Sequence, residues 1–301
     1  MNAAVEPPLG EPVVVGADGS EPSLRAVDWA ADEAVLRGVP LRVVYACLWE
    51  RYEGAALAHD IGKPTALPLA QDVVGAAAQR ARDRHPGLRV SADVVFEEPE
   101  YALVREARHA CALVVGSRGR SGIAEMLLGS VSLAVAAHAD CPVIVLRGGH
   151  DNQAIPPVHG RVVVGVGKDA KEPAAVRFAA KEARRRGVPL EAVRAWRCPA
   201  HESTDHPLLS GEPARLHEEW AVEELQAALQ DLPPDADVHR RTVEGHAHRA
   251  LADASHSADL LVVGATRREG HLGLQLGRVA HAVLHHSACP VAVVPHQAHD
   301  A

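Results

Sequence analysis

Aromatic residues make up only 3% of this 301-residue chain, and its five cysteines (Cys47, Cys111, Cys141, Cys198 and Cys289) never fall into a C-x-x-C pair. An odd number of scattered cysteines excludes a disulfide framework and a cysteine zinc site, and points to reduced, buried thiols in a cytoplasm. Basic charge is also in short supply: 31 Lys and Arg stand against 39 Asp and Glu, a net charge of −8. No basic footprint is concentrated anywhere, so a nucleic-acid-binding surface is not expected. No apolar run approaches membrane-spanning length, and the start, Met1 to Pro8, lacks the basic segment and apolar core of a signal peptide. No G-x-S-x-G elbow and no paired carboxylates in a catalytic setting are found. Histidine is abundant, with nineteen residues. Yet the pairs His246/His248, His285/His286 and His296/His299 lack the one-turn spacing of a metal site, so a solvated or helix-terminal role is expected for them.

What the chain does have is a repeat. Val13-Val14-Val15-Gly16 recurs as Val162-Val163-Val164-Gly165, and Gly38-Val39-Pro40-Leu41 as Gly187-Val188-Pro189-Leu190. Further on, Val114-Val115-Gly116 recurs as Val262-Val263-Gly264, Leu128-Gly129 as Leu276-Gly277, and Cys141-Pro142-Val143 as Cys289-Pro290-Val291. The order is kept and the offset drifts by a single residue, from 149 (Val13 to Val162) to 148 (Val114 to Val262). Duplication explains this and chance does not. The expected domains are 1–147 and 161–296, joined by a linker over 148–160 that carries Pro156-Pro157 and no periodicity.

Each copy alternates apolar runs with helical periodicity. In the first, strands are expected at Val13–Val15, Leu41–Ala46, Val90–Phe96, Ala112–Val115 and Val143–Leu146. Helices are expected over Pro22–Arg37, Leu69–Arg84, Tyr101–His109 and Gly129–His138, with Gly38 ending the first. Five strands separated by helices predict an α/β fold: two tandem domains, each a five-stranded parallel sheet with helices on both faces. The fifth strands, Val143–Leu146 and Val291–Val294, are apolar and are expected at sheet edges, which invites pairing with another edge.

Between the fourth strand and the next helix the first copy reads Gly116-Ser117-Arg118-Gly119-Arg120, then Gly129-Ser130-Val131-Ser132, a G-x-x-G-x(9)-G-S pattern. Glycines let backbone N–H groups approach an anion, and a helix opening at Gly129-Ser130 offers unpaired N–H groups and a favourable dipole. Ser130 and Ser132 can add hydroxyl donors, and Arg118 and Arg120 add positive charge. Gly16-Ala17-Asp18-Gly19-Ser20, ending the first strand, would face the same crevice. Such glycines also serve conformation alone, and Ser130 could simply cap a helix.

This pattern, set between a V-V-G strand end and a C-P-V strand, resembles the ATP-binding class of universal stress proteins, in the tandem form common in actinobacteria. The initial V-V-V-G-x-D-G-S resembles the same family. The resemblance implies Rossmann-like domains of the adenine nucleotide alpha hydrolase type. It implies an ATP ligand, with Asp18 near its adenosine half and the Ala46 backbone near adenine. Gly116, Gly119, Gly129, Ser130 and Ser132 would hold the phosphates, usually with Mg2+. It further implies regulation by binding with at most feeble hydrolysis, and domain pairing that would make the chain an internal pseudo-dimer, with a homodimer also plausible. Competing readings are a weak ATPase or nucleotidyl-transferring enzyme on the same cradle, and an interaction scaffold with vestigial sites.

The second copy departs from the pattern. Its counterparts include Gly165, Gly264 and Gly277, but Gly167 stands for Asp18, Arg267 for Gly119, Arg278 for Ser130 and Ala280 for Ser132. A degenerate site is expected. Gly165-Val166-Gly167-Lys168-Asp169-Ala170 satisfies G-x-G-x-x-A, but no acid ends the second strand at Val193–Arg197 to hold a ribose, and Asp169 stands where a Walker motif needs Ser or Thr.

Overall fold

A computed structural model describes residues 10–48, 66–117, 128–147, 158–168, 174–198, 212–265 and 276–295. The chain divides into two compact units, parted between Val143 and Ile144.

The first repeat runs β1 (Val13–Gly16), α1 (Glu21–Arg37), β2 (Leu41–Ala46), α2 (Ala66–Arg84), β3 (Val90–Val95), α3 (Pro99–Glu106), a 3-10 turn (Ala107–His109), β4 (Ala112–Gly116), α4 (Ser130–His138) and β5 (Val143–Leu146). The valines of β1 are fully buried, as an apolar strand covered on both faces requires. Neighbouring strands lie in the order β3-β2-β1-β4, all parallel, with Val13 opposite Leu41 on one side and Ala112 on the other. The Leu113 amide donates to the Pro142 carbonyl (2.9 Å), which brings the start of β5 beside β4. α1 is capped at both ends: Ser20 opens it, and Gly38 closes it at φ 68°, a left-handed conformation that suits glycine. α1 and α2 are clamped by Asp32, which accepts from Arg84 (2.6 and 2.8 Å) and contacts His85 (2.7 Å), and by Asp28, paired with Arg80 (2.6 Å).

The second repeat runs β6 (Val162–Gly165), α5 (Ala174–Arg186), β7 (Leu190–Trp196), α6 (Glu212–Leu229), β8 (Val238–Glu244), α7 (Ala247–Ser255), β9 (Leu260–Ala265), α8 (Arg278–His286) and β10 (Val291–Pro295). Its strands, ordered β8-β7-β6-β9-β10, are parallel throughout. The Leu261 amide donates to Pro290 at 2.9 Å, repeating the Leu113–Pro142 bond. Duplication reaches into the core chemistry as well. Glu33 and Arg37 form a buried i,i+4 ion pair on α1, and Glu182 and Arg186 form the same pair on α5. A carboxylate special to this repeat, Asp259, accepts from the amides of Val158 (2.7 Å), His159 (2.8 Å) and Arg161 (3.0 Å) and fixes the chain entering β6.

In both units the chain order reverses beside the first strand, between β1 and β4 and between β6 and β9. A crevice is expected there, outside the carboxyl ends of the strands.

Candidate functional site

At that switch point the first repeat has a cavity of about 170 Å³. Gly16, Asp18 and Ala46 line it from the ends of β1 and β2, and Gly116, Gly129, Ser130, Val131 and Ser132 from the end of β4 and the start of α4. Eight of the residues singled out in the sequence, from segments far apart in the chain, therefore meet at one place. Arg118, Gly119 and Arg120 lie outside the described residues. Ser117 is buried, and its carbonyl accepts from the Gly129 amide (2.8 Å), so the two ends of the intervening loop are clasped together.

Beyond β1 the chain turns sharply. Asp18 Oδ1 accepts from the Ser20 amide (3.0 Å) and from Ser20 Oγ (2.5 Å), with Gly19 between them at φ 80°. Ser20 Oγ in turn accepts from the Ser23 amide (3.4 Å), and Ser23 Oγ accepts from the Asp18 amide (3.2 Å). The cap of α1 is thus Ser20, while Asp18 holds the cap in place from the crevice side.

At the other wall the glycines and serines have distinct reasons. A Cβ at Gly116 would lie 2.8 Å from the Pro22 carbonyl oxygen and 3.1 Å from the Ser23 nitrogen. Gly116 is therefore required by the close approach of α1, whatever enters the crevice. Ser132, buried, donates its hydroxyl proton to the Gly116 carbonyl (2.6 Å) and ties the start of α4 to the end of β4. Gly129 occupies the N-cap position of α4 with no side-chain cap, and the first helical bond is Leu133 N–H to Gly129 O (3.1 Å). The amides of Ser130, Val131 and Ser132 precede that bond, at the positive end of the helix. The exposed Ser130 hydroxyl donates to Glu100 at 3.3 Å. The alternative in which Ser130 itself caps α4 is corrected by this geometry.

Several lining residues had no place in the sequence reading: Ser23, Val44, Tyr45, Pro99, Leu103 and Val115. A signal existed for two of them: Val115 lies in the repeated Val-Val-Gly, and Leu103 has a counterpart in the second copy. Leu103 packs over Gly16 as Leu251 packs over Gly165, a leucine conserved between the two repeats at the 148-residue offset.

In the second repeat Gly277 again caps its helix, with His281 N–H donating to its carbonyl (3.0 Å). Ala280 is buried and Arg278 exposed, so the counterpart of the Ser132 bond is missing. Gly264 is no longer tight: its nearest neighbour to an added Cβ is Ala175 at 3.9 Å, whereas Gly165 remains close to Leu251 (2.7 Å). Arg267 lies outside the described residues. Arg194, in the position of Tyr45, is buried, bonded to Glu224 (2.8 Å) and to the Val166 carbonyl (3.3 Å).

Among the described residues there is no group of three metal-ligating side chains. One histidine pair escaped the sequence reading. His281 and His285 do have H-x-x-x-H spacing on α8, with ring centroids 4.7 Å apart. Cys141 and Cys289 are buried, and burial pushes both thiols up to about 12. Cys47, Cys111 and Cys198 are partly exposed, which corrects the expectation that all five are buried. No helix of the described residues is long and apolar enough to cross a membrane.

A parallel α/β sheet with a glycine- and helix-lined crevice at its switch point defines the class of open, doubly wound α/β domains. The universal stress protein family model matches residues 11–147 and again 159–295. A universal stress protein of Mycobacterium tuberculosis strain H37Rv is 36% identical over 299 residues, covering 93% of this chain and 96% of the relative. One of Mycolicibacterium smegmatis is 30% identical over 94% of the chain and 96% of the relative. Among solved structures, a universal stress protein from Archaeoglobus fulgidus superposes with a TM-score of 0.67 at 20% identity, covering 95% of this chain and 99% of that one. The chain belongs to the universal stress protein family, in tandem form.

Proposed function

We propose that the protein is a cytoplasmic stress-response regulator that binds ATP in the crevice of its first repeat and acts through binding rather than catalysis. The observation that carries this reading is the convergence of Asp18 and Ala46 on one wall with Gly116 and the uncapped start of α4 on the other. A cavity of about 170 Å³ is smaller than the roughly 300–1,000 Å³ of whole-ligand pockets. It suits the nucleoside half, with the phosphates reaching the α4 amides; Arg118, Gly119 and Arg120, outside the described residues, are proposed as further phosphate contacts on the sequence pattern alone. In this reading Ser130 is a direct phosphate donor, and Ser132 works mainly by holding Gly116. Mg2+ would be carried chiefly by the triphosphate itself, since such ions typically use one or two carboxylates plus substrate oxygens; Asp18 is the acidic side chain on the crevice wall.

Among the described lining residues Asp18 is the one carboxylate and none is a histidine, a lining that suits binding better than hydrolysis or nucleotidyl transfer. The second repeat, without an acidic counterpart of Asp18 and without the Ser132 bond, is assigned no ATP. We take the domains as 1–147 and 161–296. The test is fragment titration. Asp18→Ala should weaken ATP and adenosine by similar factors, whereas Ser130→Ala should weaken ATP far more than adenosine. A ligand response unchanged in both folded variants sinks the assignment.

A further inference from the structure

The two repeats carry opposite charge at one equivalent place. Where β3 passes into α3, the first repeat has Glu97, Glu98 and Glu100, with Asp18 beyond the neighbouring strand. At the same positions, where β8 passes into α7, the second repeat has Gly245, His246 and His248, with Gly167 in place of Asp18. Cations replace uncharged residues at two positions around them, Arg197 for Leu48 and Arg249 for Tyr101. In a chain with a net charge of −8, this is not a general compositional drift.

The geometry gathers these groups. Gly245, at φ 136°, donates its amide to the Trp196 carbonyl (2.8 Å), which brings the end of β8 against the end of β7. Arg197 Nη1 then lies 3.3 Å from His246 Nδ1, and the His246 and His248 rings are 5.4 Å apart. His246 is also the N-cap residue of α7, makes no side-chain cap bond, and no acidic residue stands in the first turn. A helix start prefers negative charge, as the Glu100 of α3 illustrates. Here the charges that act on the N-cap residue come from cations, Arg197 foremost. Arg197 first, with His248 and Arg249 adding to it, holds the His246 imidazole below the usual histidine range. Glu244, closing β8, is the carboxylate nearest to it in sequence. Arg197, His246 and Arg249 are exposed, so a counter-charge can arrive from solvent.

We propose that Arg197, His246, His248 and Arg249, with the first amides of α7, form an anion site in the second repeat that takes a phosphate or pyrophosphate group. Guanidinium and imidazolium donors match a tetrahedral oxyanion, and a doubly charged group answers several cations at once. The site is independent of ATP in the first repeat and survives if that assignment fails. An arriving anion favours the charged imidazole, so binding takes up a proton at His246. The bound group is either free or part of a nucleotide.

The experiment is a histidine ring-proton NMR titration of the full chain with inorganic pyrophosphate, at about 0.15 M salt, where charges separated by more than about 8 Å are largely screened. The expected result is a saturable shift of the His246 and His248 resonances and a higher His246 titration midpoint. Arg197→Gln, an exposed change that leaves the fold intact by amide spectrum, should weaken the effect about tenfold or more, as loss of a charged hydrogen-bond partner does. ADP acting at His246 more tightly than pyrophosphate marks a nucleotide as the source, and ADP acting equally or less tightly marks a free oxyanion. Resonances of His246 and His248 that do not respond, or a response unaltered by Arg197→Gln, overturns the site.

Discussion

Gly116 and Gly264 occupy the same position in the two repeats, yet alanine should have opposite effects at them. At Gly116 the new Cβ would meet the backbone of α1 at 2.8 Å (Pro22 O), 2.9 Å (Pro22 C) and 3.1 Å (Ser23 N). Backbone in the first turn of a capped helix cannot swing aside as a long side chain can. α1 must therefore move outward, and overpacking of this kind destabilises by about 1–3 kcal/mol. The displacement also pulls on Ser23 and so on the Asp18–Ser20 turn. At Gly264 the new methyl would find Ala175 at 3.9 Å, an ordinary contact. There the loss of unfolded-state freedom should dominate, leaving stability unchanged or raised by up to about 1 kcal/mol. Because a two-unit chain need not unfold in one step, urea unfolding should be followed by hydrogen exchange of β1 and β6 amides, which report each repeat separately. Gly116→Ala should lower protection in the first repeat, and Gly264→Ala should not lower it in the second. Equal losses at both positions, or none at Gly116, would refute the packing explanation.

Two further predictions concern other buried groups. Ser132→Ala should destabilise the first repeat by about 1–3 kcal/mol, because the buried Gly116 carbonyl loses its 2.6 Å partner, and denaturation midpoints will check it; ATP affinity should fall less than in Ser130→Ala. Thiols pushed up to about 12 are almost wholly protonated at pH 8. Alkylation of the native protein followed by mass spectrometry should therefore mark Cys47, Cys111 and Cys198 while sparing Cys141 and Cys289 until the chain is unfolded.

Much of the fold was legible because duplication prints each signal twice. β2 and β5 fall at the residues expected, and β1, β3 and β4 differ by one residue at their ends. Helix starts were less legible: α2 begins at Ala66 and α3 at Pro99, each earlier than the apolar periodicity alone indicates. The candidate crevice was legible as a set of segments, but not as a set of reasons. The pattern marks Gly116 as a place where an anion could approach, but its close neighbour Pro22 is ninety-odd residues away in sequence and only the packed helix reveals it. The pattern offers the Ser132 hydroxyl as a donor, and only the structure shows its proton given to Gly116. The Glu33–Arg37 and Glu182–Arg186 pairs were visible as i,i+4 charges in both copies, but their burial was not. The replacement of Glu98 and Glu100 by His246 and His248 lies outside the nucleotide motif, so the motif alone does not reveal it.

Calorimetric titration of the nucleotide-free chain with ATP in the presence of Mg2+ tests the central claim most directly. One high-affinity ATP per chain is predicted, lost when the first-repeat crevice is altered by Asp18→Ala together with Ser130→Ala and kept when Arg278 is replaced in the second. Two equivalent sites per chain, or no binding at all, would contradict it.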